Sequence, residues 1–339
     1  MKGFRRFCAL LVGCVFLLAG MLKLMDPVGA GLVVEEYFKF LHLPFMIPAA
    51  KVVGVLMAML ESLIGAALIA GVWPVVTGIV CGVVLLGFTV LTLVLWIVNP
   101  AMDCGCFGEA MHLTHLQSFI KNVALLVLWS VAFLPAPRPK APRKLKFVAF
   151  YIAALSVCAF AVWSWIRIPA IDFTQFKPGA TLMQAQNSPS PDSPLLSICD
   201  ESGSYCDELL AEGPVMVVSA YDYDELSEDG REALDCFARS LDSLGVKGVL
   251  AVSASELPSG AFSADRRTLM TLNRSNGGAT LLVDGMIVAK WPARNLPSGE
   301  SVAALVRESP TEAMMHENAP HRLRMQGVLL YVFAVLILL

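Results

Sequence analysis

The chain has 339 residues, 56% of them hydrophobic and only 16% charged. Soluble domains carry about 25% charged residues, so the shortfall points to a membrane protein. A net charge of −3 supplies no basic surface for a nucleic-acid partner, and nine cysteines scattered along the chain do not make a small disulfide scaffold. Cys8, Cys14, Cys81 and Cys158 fall inside apolar runs and read as small buried or lipid-facing hydrophobes. Cys104, Cys106, Cys199, Cys206 and Cys236 remain as candidates for chemistry.

The first apolar run, 7–25, follows Lys2, Arg5 and Arg6 and is near the ~20 residues that cross a hydrocarbon core. No small-x-small cleavage site follows it, and the stretch before Cys14 is too short for a lipoprotein signal, so it reads as a retained helix. Lys23 is placed to snorkel to the interface, which Asp26-Pro27 marks. Residues 35–41 are amphipathic, too polar to span, and suit a short helix on the membrane surface. The second span, 47–70, carries Glu61 in its interior. A carboxylate at that depth is costly; it reads as a functional group, as a helix–helix hydrogen bond, or as a protonated Glu packed against small residues such as Gly65 and Ala66. A turn with an interfacial Trp73 leads to the third span, 75–98, and a loop of about 99–115 leads to the fourth, 116–134.

The Pro-rich basic stretch 135–146 is a stiff loop outside the membrane, and 147–168 is a fifth span. The last apolar run, 325–339, is 15 residues long, enough to cross only a thin or compressed bilayer. The basic clusters at the N-terminus and at 135–146 belong in the cytoplasm by the positive-inside rule, and four spans between them make the two assignments agree. The protein is then expected in a bacterial inner membrane, multi-pass, with the cysteine loop and the soluble part in the periplasm, where disulfides persist.

The expected domains are a four-helix membrane domain (1–135), the basic cytoplasmic loop (136–146), the fifth span (147–168), a linker (169–194), a soluble α/β domain (195–320) and the C-terminal apolar segment (321–339). In the soluble part, 195–199 and 204–206 read as strands around a turn. Residues 215–220 and 246–253 read as buried strands, and 227–244 as an amphipathic helix capped by Ser227 and ended by Gly245. Asp284-Gly285 turns a hairpin of 279–282 with 286–290, and a last helix opens at Ser298 and runs to about Glu308. Cys199 and Cys206 flank a turn within reach of a structural disulfide, and Cys236 falls in a helix body as a core residue. The acidic run 222–235 reads as a solvated face or as a docking surface for a basic partner.

This order resembles a thioredoxin fold, with VMVVSAY as the strand before the active-site helix and ATLLVDGMIVAKW as the terminal hairpin. Asp222-Tyr223-Asp224-Glu225 stands where thioredoxins carry Cys-x-x-Cys, and Ala279 where they carry a cis-proline. The resemblance therefore implies a degenerate module, used for binding or positioning and not for dithiol exchange.

The chemistry is expected at Asp103-Cys104-Gly105-Cys106-Phe107-Gly108-Glu109. A Cys104–Cys106 disulfide closes a small ring, which strains the bond and makes it easier to reduce. Gly105 lets the backbone turn and Gly108 adds a second flexible point. Asp103 and Glu109 could move protons during exchange but also disfavour a thiolate. Three readings stay open at this point: a redox disulfide, an inert loop disulfide, and a metal site completed by His112 and His115. There is no nucleotide-binding glycine loop or strong metal motif, so no cofactor is evident.

The Asp-Cys-Gly-Cys-Phe-Gly run after a third helix, the 20–27 end of the first helix and Glu61 in the second resemble the DoxX/MauE group over about 1–135. MauE-type proteins are implicated in disulfide formation during methylamine dehydrogenase maturation, and DoxX relatives include a quinone-linked thiosulfate oxidoreductase subunit. The bundle is also similar in architecture to vitamin K epoxide reductase-like enzymes, and the fusion to a thioredoxin-like domain resembles a set of Bacteroidetes DoxX-family proteins. The resemblance implies a membrane thiol-disulfide protein in which Cys104 and Cys106 cycle, Glu61 and Lys23 are bundle charges near the route, and electrons pass to a quinone or a partner oxidoreductase. The lipid bilayer and a periplasmic client or redox partner are the expected partners. The rival readings are a non-catalytic envelope assembly protein and a DoxX-like subunit of a larger oxidoreductase.

Overall fold

A computed structural model describes residues 2–134, 144–169, 171–182 and 194–338. Most of the basic 135–146 loop, and residues 170 and 183–193 of the 169–194 linker, lie outside the described residues. The chain divides into two compact units, 1–169 with 327–339, and 170–326.

The first unit is helical. Five of its helices are long and apolar enough to cross a membrane. They are α1 (Lys2–Met25), α3 (Ala50–Ala70), α4 (Pro74–Val98), α5 (His115–Phe133) and α6 (Lys144–Ile166), with a shorter α2 (Pro27–Phe40) between the first two. Their ends follow the local sequence. Asp26 caps α2 by accepting from Gly29 N at 2.9 Å, and Pro27 takes the first helical position, where no N–H is needed. Gly71 ends α3 in the left-handed conformation, and Thr114 with Gln117 opens α5 as a capping box. The face of α4 bearing Val76, Ile79, Val83, Leu86, Val90 and Ile97 is exposed, a stripe at helical spacing fit only for lipid.

Close backbone approach fixes α1 on α3. A Cβ at Gly20 would lie 2.3 Å from Ser62 Oγ, so the two helices meet where glycine leaves room. At the other end of α1, Arg5 donates to Ala132 O (3.2 and 2.9 Å), and Arg6 donates to Leu68 O (2.8 Å) and to Ile69 O. The N-terminus of α1 and the C-termini of α3 and α5 therefore share one end of the bundle, with cations on the carbonyl ends of helices. At the opposite end Ser164 of α6 donates to Met25 O at 3.3 Å.

Residues 35–41 are not a separate surface helix: they close the longer α2, whose first half is small, apolar and buried. The apolar C-terminal run belongs to α11 (Ala319–Leu338).

The second unit is α/β. Its main strands are β2 (Pro214–Ala220), β3 (Lys247–Val252), β4 (Phe262–Ser263), β5 (Gly278–Val283) and β6 (Met286–Trp291), numbered after a short β1 (Cys106–Glu109) in the first unit. Sheet order is β4-β3-β2-β5-β6; β2 is parallel to β3 and antiparallel to β5, and β5–β6 is the expected hairpin. Helices α7 (Glu228–Ser240), α8 (Arg266–Leu272), α9 (Gly299–Arg307) and α10 (Pro310–Glu317) complete it. Alternation along β2 builds two cores: Met216, Val218 and Ala220 face one cluster, Val215 and Val217 the other.

Two expectations need correction here. Residues 195–199 and 204–206 are not strands; Cys199 makes only isolated bridges, to Tyr205 and Ser263. The Asp207 carboxylate takes the N–H groups of Ser197 and Ile198, and Asp200 takes those of Ser202 and Ser204, so side chains satisfy donors that a ladder would use. Cys236 is exposed, not core: the inward face of α7 is set by Leu234 and Ala238, four residues apart, and Cys236 falls between them on the far side.

Candidate functional site

The cysteine loop closes the end of the first unit opposite Arg5 and Arg6. Asn99, left-handed at φ 48°, ends α4 and turns the chain out. Gly105 has φ +56°, and a Cβ there would lie 2.2 Å from Val33 Cγ1 on α2, so glycine is required for conformation and for space. Gly108 has φ +62° and donates to Gly105 O at 3.2 Å, which makes a tight turn around Cys106 and Phe107. The loop is tied to α2 by Tyr37, whose hydroxyl donates to Cys104 O.

The two sulfurs differ. Cys104 is 3% exposed and Cys106 half-buried. Cys104 Sγ lies 2.9 Å from His115 Nδ1, and His115 Nε2 lies 3.0 Å from Pro100 O. Burial raises the Cys104 pKa; the buried Ser118 hydroxyl and the Lys121 charge on α5 oppose this, while Cys106 and Asp103 add to it. Phe107 is buried under Lys121, whose Nζ stands 4.9 Å from the ring centre.

Below the loop is a cavity of about 100 Å³. Cys104, Gly105 and Cys106 form part of its wall, with Lys23, Glu61, Tyr37 and Lys121. Val15, Phe16, Leu85 and Phe88 are among its apolar lining residues. Lys23 does not snorkel: its ammonium is 2.6 and 2.8 Å from the two Glu61 oxygens. Glu61 and Lys23 thus form a buried pair that joins α3 to α1, the arrangement that lowers the cost of polar groups inside an apolar bundle.

The other flanking residues are not among those that line the cavity. Asp103 is exposed and faces His112 at 3.2 Å. Glu109 lies beside the start of α2, where a Cβ on Gly29 would fall 2.9 Å from its Cγ. His112 and His115 do not converge with both cysteines, and among the described residues no group of three or more His, Cys, Asp or Glu is arranged to hold a metal. In the second unit Cys199 and Cys206 are half-buried, their sulfurs turned to Ser197 O (3.9 Å) and Ser204 O (3.3 Å).

Sequence reading did not find Tyr37, Lys121 or Asn122. Asn122 donates to Thr92 Oγ1 at 3.1 Å and to Phe88 O at 3.2 Å, joining α5 to α4 beside the cavity. The available signal was polarity at helical spacing in the fourth span: Lys121 and Asn122 follow Ser118 by three and four residues, on one face of α5.

Residues 1–135 match the family described as methylamine utilisation protein MauE. The match covers 135 of the 339 residues, and this segment is similar to that family. No curated protein and no solved structure matches the chain. With five helices able to span, this is a multi-pass membrane protein, and the cavity and both loop cysteines lie wholly within the matched segment.

Proposed function

We propose that the protein is a membrane thiol-disulfide carrier of the cell envelope, working through Cys104 and Cys106. The observation that carries this reading is the meeting of the pair with Lys23 and Glu61 at one cavity, with a histidine on the buried sulfur. A structural staple needs neither a cavity beneath it nor a proton acceptor beside it.

In the reaction the Cys104–Cys106 disulfide takes two electrons from a client dithiol and is left as two thiols, and the client is left as a disulfide. Reoxidation needs an acceptor of two electrons and two protons, by class a quinone or a partner disulfide. The donor set suits a quinone: Lys121 would hold a carbonyl oxygen, and the apolar walls would flank the ring.

The charges at Arg5 and Arg6 support a cytoplasmic N-terminus, and hence a periplasmic loop. The second unit supports a thioredoxin-like reading through its strand order and its hairpin, and a non-redox role through the site after β2. There Asp222 holds Arg266 at 2.7 and 3.2 Å, and its backbone exchanges hydrogen bonds of 3.1 and 3.0 Å with Asn276. A segment fixed in this way presents a constant surface, which suits docking a client.

Redox titration of the full chain in membranes tests the reading, with differential alkylation and mass spectrometry across glutathione potentials. A midpoint well above the roughly −300 mV of structural disulfides, with mixed disulfides trapped by Cys104→Ser or Cys106→Ser, is expected. A pair that stays wholly oxidised or wholly reduced would move the function to the second unit's surface, as an assembly protein.

A further inference from the structure

On the exchange reading above, the two cysteines are not equivalent, and the difference points to a further catalytic residue. His115 Nε2 lies 3.0 Å from the Pro100 carbonyl oxygen, which can only accept, so Nε2 carries a hydrogen. In the neutral ring Nδ1 is then bare, and at 2.9 Å it accepts from the Cys104 thiol. A backbone carbonyl thus fixes the tautomer that a proton acceptor for this sulfur needs. We propose that His115 is the acid–base partner of Cys104, and that Cys106 forms the mixed disulfide with a protein dithiol while Cys104 is the sulfur released and recaptured.

The step balances as follows. A client thiolate attacks Cys106 Sγ; the client–Cys106 bond forms as the Cys104–Cys106 bond breaks, and the electron pair leaves on Cys104. His115, protonated at Nδ1 from solvent, gives that proton to the Cys104 thiolate and is left neutral. The client's second thiolate attacks its own bonded sulfur, closes the client disulfide and releases Cys106, which takes a proton from water. The client has lost two electrons and two protons, and the pair has gained them. Run backwards, the same steps reduce a client disulfide.

The surroundings fit these roles. Cys104 is 3% exposed, out of reach of a bulky client sulfur, whereas half-buried Cys106 is open to one. His115 is the first residue of α5, so a thiolate at Cys104 would stand at a helix N-terminus, where anions are favoured. Burial otherwise disfavours that thiolate, which makes an adjacent proton donor useful. The other ionisable groups around Cys104 are Asp103 and Cys106 on its loop, Lys121 on α5, Tyr37 on α2, and Lys23 with Glu61 across the cavity. His112, on Asp103 at 3.2 Å, is a second histidine near the pair, and of these side-chain types only histidine ordinarily titrates between pH 5 and 8, so an inflection that is lost in His115→Gln singles out His115.

The test uses the oxidised full-length protein in lipid nanodiscs, with glutathione as the probe thiol from pH 5 to 9 and each cysteine quantified by mass spectrometry. In the wild type, reduction should inflect between pH 5 and 8; His115→Gln should slow it by about 10²-fold and remove the inflection. Glutathione disulfide should load Cys106 in Cys104→Ser at least about tenfold faster than Cys104 in Cys106→Ser. A pair that cycles with no inflection in the wild type, with the same profile in His115→Gln, or with faster loading at Cys104 overturns the inference alone. A wild-type pair that never cycles overturns it together with the exchange reading. The wild-type profile needs no variant, so a His115→Gln protein that fails to fold leaves the test standing.

Discussion

Gly105 and Gly108 share a left-handed backbone but differ in surroundings, so their alanine variants should separate strain from crowding. At Gly108 a Cβ would come no nearer than 3.7 Å to Lys23, and Gly108→Ala should cost only the conformational penalty of about 1–2 kcal/mol. At Gly105 the same Cβ would strike Val33 at 2.2 Å, so the loop must lift off α2. Gly105→Ala should therefore expose Cys104 and raise its alkylation rate by about tenfold or more, with little change in Gly108→Ala. Equal rates in the two variants would mean that the contact with Val33 does not hold the loop down.

The Lys23–Glu61 pair makes a second prediction at this scale. Lys23→Met or Glu61→Leu alone strands a charge in an apolar bundle and should lower stability by about 3–5 kcal/mol. The double variant should recover most of that loss in denaturant unfolding of the detergent-solubilised chain, and additive losses would show that the two residues do not act as a pair. The site was partly legible here. Two cysteines one glycine apart, and single charges inside apolar runs, stand out by type and position. That Lys23 meets Glu61, 38 residues away, is settled by helix packing that no local pattern encodes. His115 was visible only as a metal-ligand candidate, because its partner sulfur is chosen by the path of the loop.

At the scale of elements, the spans were readable because length and hydropathy alone determine them, and the hairpin because Asp284-Gly285 permits few other turns. Residues 27–34 were not, since small apolar residues fit a buried short helix as well as a connection. Helices α8 and α10 escaped notice because seven or eight residues give too little periodicity. The attachment of 179–182 to β6 was also hidden. Gly179 N donates to Ile287 O at 2.7 Å, Ile287 N to Ala180 O at 2.9 Å, and Leu182 N to Gly285 O at 2.9 Å, so this segment covers a sheet edge.

That attachment is anchored by Asp172, which faces Lys290 at 2.7 Å. Burial by itself would raise the Asp172 pKa; the Lys290 ammonium and the hydrogen bonds from Thr174 outweigh it, and the folded-state pKa is lowered. A lowered carboxylate pKa contributes stability that is present above the unfolded value of about 3.9 and is lost as pH falls through the folded value. Hydrogen exchange at 286–291 should accelerate below about pH 4 in the wild type. Asp172→Asn should exchange faster at neutral pH and lose most of this acid dependence; an unchanged acid response would place the titrating group elsewhere.

For the whole molecule, the decisive quantity is the side of the membrane on which the pair sits, because a cytosolic dithiol would be held reduced. Inside the first unit the ends are already sorted. Arg5 and Arg6 share an end with the C-termini of α3 and α5, and Trp73 packs there against Phe147, Phe150 and Tyr151 at the start of α6. The loop shares the other end with Lys23, and there α6 finishes with Ser164 on Met25 O. The 14 residues of α2 extend only about 21 Å and do not add a crossing, so the parity of the remaining spans is unaffected. Helix α6 therefore finishes at the end of the first unit that carries the cysteine loop. With the basic end in the cytoplasm, a membrane-impermeant maleimide applied to intact cells should label reduced Cys106, and also Ser202→Cys in the second unit. It should not label Trp73→Cys until the cells are opened. Labelling of Trp73→Cys alone would invert the protein and place Cys104 and Cys106 among reductants, where a cycling disulfide has no source of oxidation. Labelling at both ends would mean that the five helices do not all cross.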